Sequence, residues 1–224
     1  MLKRIGICLA LVTALVAMTA APARAQVQGE VGVFAGWVLQ DGVSGNSFAV
    51  PGVGVFDRID PKDSFGWGFD VGVLFGEGAE VGFIFSNQPT KLTVGGTTTV
   101  EVGDMSVNTY HGYFAYNWGG HDGKVRPYLM GGFGATTYGD VTFTTVARNG
   151  TISGTTKYSS TWGGGVKVYP SPKVGFRAGM RWTPAYIKSD PGGWWCDPYW
   201  GCYLVGNAQY ANLLDFTGGV TFRF

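Results

Sequence analysis

Large apolar side chains alternate with glycine or charge at a period of two residues, and nothing else in the sequence constrains the fold as strongly. In residues 174–183, Val174, Phe176, Ala178, Met180 and Trp182 hold one parity, and Gly175, Arg177, Gly179, Arg181 and Thr183 hold the other. A period of two puts successive side chains on opposite faces of a β-strand. The last segment repeats the pattern, with Leu214, Phe216, Gly218, Val220, Phe222 and Phe224 against Leu213, Asp215, Thr217, Gly219, Thr221 and Arg223. In 64–76, Phe65, Trp67, Phe69, Val71, Val73 and Phe75 form the apolar face. In 30–40 the corresponding face is Val31, Val33, Ala35, Trp37 and Leu39. Segments 79–88, 101–118, 125–140 and 157–169 read as further strands. In 101–118 the alternation is mixed around Tyr110 and His111, and length and context carry the assignment. Eight strands result. Short turns at 76–78, 119–124 and 170–172 alternate with long connections at 41–63, 89–100, 141–156 and 189–210, the order of an antiparallel up-and-down meander.

Volume decides which face points inward. An eight-stranded barrel has an interior just wide enough for side chains. Phe65, Trp67, Phe69, Phe75, Phe176, Trp182, Phe216 and Phe222 would overfill it, whereas Gly66, Gly68, Gly72, Gly175, Gly179 and Gly219 leave room for a few long polar chains. Arginine facing lipid near the bilayer midplane costs ~2–4 kcal/mol, and Arg177 and Arg181 share the parity of the glycines. The expected fold is therefore all-β, an eight-stranded antiparallel transmembrane barrel with its apolar face outward. A soluble lipocalin-like carrier requires the opposite orientation. Composition agrees: charged residues are 14% against about 25% in ordinary soluble domains. The 38 glycines follow no period of three and prolines number only 10, which excludes collagen. With 15% aromatic residues disorder is not expected. A net charge of +1 speaks against nucleic acid held by bulk electrostatics.

Residues 1–25 read as a cleaved signal peptide. Lys3 and Arg4 precede an apolar run from Ile5 to Ala20, and Ala23-Arg24-Ala25 is an A-x-A cleavage site. The expected mature barrel domain is 26–224, with a formal charge of −2 after loss of three basic residues. No later segment has 18 consecutive apolar residues, the length of a membrane-spanning helix. Cys196 and Cys202 remain in the mature chain, and an exported protein meets an oxidising compartment where they can pair.

The end of the chain, Phe216-Thr217-Gly218-Gly219-Val220-Thr221-Phe222-Arg223-Phe224, resembles the C-terminal strand of bacterial outer-membrane proteins. Val125-Arg126-Pro127-Tyr128, followed by Gly131-Gly132-Phe133-Gly134, resembles the fifth strand of the small OmpA/OmpX-like family. Trp162-Gly163-Gly164-Gly165-Val166-Lys167-Val168-Tyr169 resembles the sixth. The resemblance implies a monomer in the outer membrane of a bacterium with two membranes, in contact with lipid and lipopolysaccharide. It also implies that Phe216, Val220, Phe222 and Phe224 form the signal read by the barrel-assembly machinery. Members of that family serve adhesion, complement resistance, envelope integrity or slow solute passage, and the fold does not choose among these.

Three groups of residues are candidates for function. By parity the lumen receives Glu30, Asp70, Glu80, Arg126, Lys167, Arg177, Arg181, Asp215 and Arg223. This set is either a plug that satisfies a small interior or a gate on a narrow ion path. Arg177 and Arg181 are expected to pair with Asp70, Glu80 or Asp215. The second group, Trp194, Trp195, Tyr199, Trp200 and Tyr203, surrounds the two cysteines in the last long loop. It reads as a contact surface for an extracellular partner or as aromatics at the rim and interface. A disulfide closing so short a loop contributes ~2–3 kcal/mol. Metal ligation by Cys-x5-Cys is the lesser reading, because neither His111 nor His121 is near in sequence. The third group is catalytic. His111 and Ser106 fall on opposite faces and His121 lies in a short turn, so no nucleophile–base pair emerges. No cofactor motif is present, and the glycine-rich stretches lack the Lys-Ser/Thr of a phosphate loop. The reading is a non-enzymatic barrel with a structural or surface-interaction role, with a small pore for ions or solutes as the alternative.

Overall fold

The computed structural model describes residues 27–50, 54–96, 100–119, 123–144, 149–187 and 209–224. The signal segment, His121, both mature cysteines and the aromatic group Trp194, Trp195, Tyr199, Trp200 and Tyr203 lie outside the described residues. The described elements are strands: β1 (Gln28–Gln40), β2 (Val43–Val50), β3 (Gly54–Pro61), β4 (Ser64–Phe75), β5 (Ala79–Gly96), β6 (Val100–Asn117), β7 (Val125–Tyr138), β8 (Val141–Thr144), β9 (Asn149–Ile152), β10 (Thr155–Val168), β11 (Val174–Ile187) and β12 (Gln209–Arg223). Eight of them close a barrel in the order β1-β4-β5-β6-β7-β10-β11-β12, each pair antiparallel and β12 returning to β1.

The register gives the barrel its dimensions. Cα partners lead from Gly29 to Val73, Val81, Phe114, Gly131, Trp162, Trp182 and Leu214, and return to β1 at Leu39, ten residues above the start. That stagger across eight strands, with ~3.3 Å per residue and ~4.8 Å between strands, tilts the strands by about 40° and sets a backbone radius of about 8 Å. Outward from β4 stand Phe65, Trp67, Phe69, Val71, Val73 and Phe75, all between 37% and 58% exposed. Ten residue steps at this tilt make a belt about 25 Å tall, the height of an outer-membrane apolar band. Below the belt the turns are tight. Gly76 (φ 60°) and Gly119 (φ 102°) supply the positive φ that these reversals require.

Three connections that read as long loops are instead hairpins continuing the barrel. The β1–β4 register, ending at Val38↔Ser64, resumes unshifted at Val43↔Ile59 of β2–β3. The β7–β10 register at Tyr138↔Thr155 resumes unshifted at Val141↔Ile152 of β8–β9. In the remaining case β5 and β6 run on to Gly96 and from Val100. Pro89 hid this continuation. It sits just past Trp67↔Asn87, the last β4–β5 pair on that side, where the ladder passes from β4 to β3 and a missing N–H is tolerated. Short polar clamps hold the breaks: the Gln40 amide donates to Asp63 Oδ1 (2.8 Å) and the Gly154 amide to Asp140 Oδ1 (2.6 Å).

Along these continuations the polarity of the two faces inverts. Within the belt apolar groups face out. Above it Lys91 and Glu101 face out, while Leu92, Val94, Met105 and Val107 turn inward and are buried. With Val38, Tyr138, Ala185, Ala211 and Leu213, and with Ile59 of β3 and Val141 of β8, they form an apolar cap over the lumen.

Candidate functional site

The nine charged residues of the lumen set are all buried, none more than 8% exposed. They form layers. Nearest the short turns, Lys167 of β10 reaches across the lumen. Its Nζ donates to Glu30 Oε1 of β1 at 2.5 Å and to Glu80 Oε2 of β5 at 2.9 Å. Tyr169 Oη (2.5 Å) and Arg223 Nε (3.3 Å) also donate to Glu30 Oε2. Tyr113 Oη (2.6 Å) and Asn117 Nδ2 (2.8 Å) donate to Glu80. Two guanidinium groups lie by the Tyr169 ring, Arg223 at 3.0 Å and Arg126 at 5.1 Å from its centroid. Arg126 Nε also donates to the Gly123 carbonyl at 3.0 Å.

The next layer pairs Arg177 of β11 with Asp70 of β4. Above it Arg181 Nε donates to Asp215 Oδ2 at 2.8 Å, and Arg181 Nη2 to both that oxygen and Ser86 Oγ. Phe34 of β1 points between the two layers, 4.8 Å from the Arg177 guanidinium and 5.7 Å from that of Arg181. Cations at these distances from a ring face are attracted by its quadrupole. Arg177 and Arg181 thus find Asp70 and Asp215, while Glu80 belongs to Lys167.

The inward glycines are the counterpart of inward aromatics. A Cβ at Gly68 would lie 2.6 Å from the Phe34 ring, at Gly72 2.7 Å from Tyr113 Oη, at Gly175 2.6 Å from the Tyr169 ring and at Gly179 2.5 Å from Tyr128 Oη. Each glycine vacates the space that a large side chain from another strand fills.

The carboxylates of Glu30, Asp70 and Glu80 present oxygens within 4.8 Å of one another. The ammonium of Lys167, bonded to two of the three, supplies positive charge within the trio.

Comparison with known proteins places this architecture. The model of the outer membrane protein beta-barrel domain matches residues 8–224. The chain belongs to this family. No curated protein matches it by sequence. Among solved structures, OprG from Pseudomonas aeruginosa is similar with a TM-score of 0.61 at 14% identity, over 89% of this chain and 96% of that one. Ail of Yersinia pestis, solved with the heparin analogue sucrose octasulfate, has a TM-score of 0.48 at 14% identity, over 88% and 99%. The N-terminal barrel of Pseudomonas aeruginosa OprF has a TM-score of 0.44 at 13% identity, over 90% and 100%. At 14% identity the likeness to OprG is one of fold.

As a member of the outer membrane protein β-barrel family, the protein resides in the outer membrane, its belt in lipid and its short turns in the periplasm. The soluble-carrier alternative is overturned by the outward belt and by this family membership. Phe216, Phe222 and Phe224 of the terminal segment face outward and are exposed, and Val220 shares their parity.

One contact eluded sequence reading. His111 Nε2 lies 2.9 Å from Ser159 Oγ, which also accepts from Thr136 Oγ1 at 2.9 Å. His111 and Ser159 are fully buried beneath the apolar cap. Among the described residues His111 Nδ1 has no hydrogen-bond partner, so no carboxylate orients this ring as in a triad. Ser106, weighed against His111 in sequence, lies on the other face of β6. Parity alone could have flagged Phe34 and Tyr169, each a large side chain on the glycine face of its strand, whereas around the inward Tyr113 and Asn117 of β6 the glycine, Gly112, faces outward.

Proposed function

We propose that this protein is a closed, monomeric, non-enzymatic barrel whose working surface is the sheet and loops at its outer end. The observation that carries this reading is a filled lumen. Three layers of ion pairs and an apolar cap occupy it in series, and the interior cavities beside Asp70, Glu80 and Arg181 measure about 10 Å³ each. That is room for about one water. The outer end, by contrast, carries registered hairpins that project beyond the belt. The lumen charges then serve as a plug, and an extracellular partner would meet the hairpins or the segment holding Trp194, Trp195, Tyr199, Trp200 and Tyr203.

The test is electrical and then adhesive. The refolded protein, verified by its different migration boiled and unboiled in SDS, gives a silent planar-bilayer baseline on this reading. Reproducible unitary steps, altered by Arg177→Ala or Asp70→Ala, would overturn it in favour of a small pore. Cells displaying the protein should lose surface contacts when the five loop aromatics are replaced by serine, with the barrel still assembled.

A further inference from the structure

We propose that the periplasmic mouth of the barrel is a binding site for a single small oxyanion, a carboxylate or phosphate group. Among the described residues, the cavities beside Asp70, Glu80 and Arg181 hold about one water each, whereas one of about 230 Å³ opens between the short turns. Gln28, Gly123, Lys124, Tyr169, Ser171 and Arg223 line it, with Pro170 and Pro172 at its edge. Among the described residues that line it, none is a carboxylate.

Arg223 is the centre of the argument. Its guanidinium is held on one face by the Tyr169 ring at 3.0 Å, and its Nε is directed to Glu30 at 3.3 Å. Glu30 is in turn anchored by Lys167 and by the Tyr169 hydroxyl. The fork is therefore pre-oriented, and only part of its donor capacity is used. Nη2 is buried and has no hydrogen-bond partner. Gln28, on the same cavity, holds a second buried atom without a partner, Oε1. Lys124 is exposed at the rim and brings another positive charge. A pinned guanidinium that gives Nε to Glu30 and leaves Nη2 unpartnered, next to the Lys124 cation at the rim, matches the demand of an oxyanion for charge-assisted donors. A protonated oxyanion, such as hydrogen phosphate, would also satisfy the Gln28 oxygen. The position is open to periplasmic solutes and adjoins the inner leaflet, so the group can arrive free or on a lipid headgroup.

The full-length protein, refolded in phosphate-free maltoside micelles, is titrated with inorganic phosphate and separately with acetate while amide and guanidinium Nε–H resonances are followed. Saturable shifts at Gly123, Lys124, Ser171 and Arg223 are expected. Arg223→Gln should weaken binding about tenfold, the loss of one charge-assisted contact. Lys124→Gln, which leaves the lumen intact, should weaken it about threefold, as a screened rim charge does. In nanodiscs, phosphate shifts that disappear when anionic phospholipid is present identify the headgroup as the source. Shifts that persist identify a free solute. Non-saturating shifts, or saturation unchanged in both variants, would overturn the site and leave a water-filled vestibule.

Discussion

Lys167→Met should destabilise the barrel through Glu80 more than through Glu30. Lys167 is 3% exposed and lies 2.5 and 2.9 Å from the two carboxylates. Without the ammonium, Glu30 still has Arg223 Nε at 3.3 Å and the Tyr169 hydroxyl. Glu80 keeps only the neutral donors Tyr113 and Asn117. Removing one member of a buried ion pair costs ~3–5 kcal/mol, because the other charge is left in a poor solvent. With a guanidinium slope of about 4 kcal/mol/M, a loss of about 4 kcal/mol lowers the unfolding midpoint by about 1 M. The assay is reversible unfolding in micelles, read by tryptophan fluorescence and by the folded band in unboiled SDS samples. Adding Glu80→Gln to Lys167→Met should restore at least about half of the loss, since the amide removes the stranded charge and retains hydrogen-bonding capacity. A single variant within about 1 kcal/mol of wild type, with no gain from the second substitution, would refute the reasoning. It would show that lumen water screens these groups as it does at a surface.

Gly179→Leu, which forces a side chain onto Tyr128 Oη, should cost about 1–3 kcal/mol or block folding, whereas Gly218→Ala, with no atom nearer than 3.9 Å, should be neutral in the same denaturation assay. Phe224→Ser should lower the amount of assembled barrel in cells while the purified variant still refolds in micelles; equal assembly in cells would remove the terminal residue from the signal. Glu101 has its carboxyl held below the ordinary range by hydrogen bonds from Lys91 and, secondarily, Lys62. A carboxyl depressed on folding stabilises above its unfolded value of about 4.3 and loses that effect as pH falls through the folded value. Acidification below about pH 4 should therefore lower amide protection factors beside Glu101 before those of the belt, and a simultaneous loss of protection in both would contradict this. Replacing residues 43–61 by a short turn should cost about 1.5–3 kcal/mol, because the hairpin carries Ile59 into the apolar cap; a variant as stable as wild type would show that the hairpin is a dispensable loop.

Parity made the barrel legible. Once Arg177 and Arg181 were seen to share a face with Gly175 and Gly179, lumen volume and the cost of charge in lipid pointed to the same inside. What parity cannot supply is which inward residues meet. The ten-residue stagger brings Arg177 to Asp70 and Lys167 to both Glu30 and Glu80, and a stagger is a property of all eight seams together. Sequence reasoning therefore placed the charges inside but offered Glu80 to an arginine. The strand continuations were hidden for another reason. Thr90 and Leu92 keep the inward parity of Glu80 and Ile84, while Lys91 keeps the outward parity of Phe83, so the period holds as far as Leu92, where the β5–β6 register shifts. Only the polarity reverses, and against a lipid-facing template that reversal, with Pro89 and Gly95-Gly96 beside it, reads as a loop.

The reversal itself locates the membrane boundary. Outward on adjoining strands, Asn87 Nδ2 donates to Asn108 Oδ1 at 2.6 Å, and the next outward positions toward the periplasm are Phe85 and Tyr110, whose rings lie 5.1 Å apart. An amide pair on the lipid face would cost several kcal/mol if it lay deep in the hydrocarbon; at the upper interface its remaining polar atoms reach headgroups and water. Beyond it the outer solvent is water, and the sheet must then bury apolar groups on its other face to hold together. The Val38, Leu92, Val107 and Leu213 cap is that second core. The same strands are therefore stabilised by two solvents in succession, and the outer hairpins owe their order to a core of their own as well as to the barrel beneath. A surface built this way presents fixed backbone geometry, the property needed to recognise a partner without ordering a loop on contact.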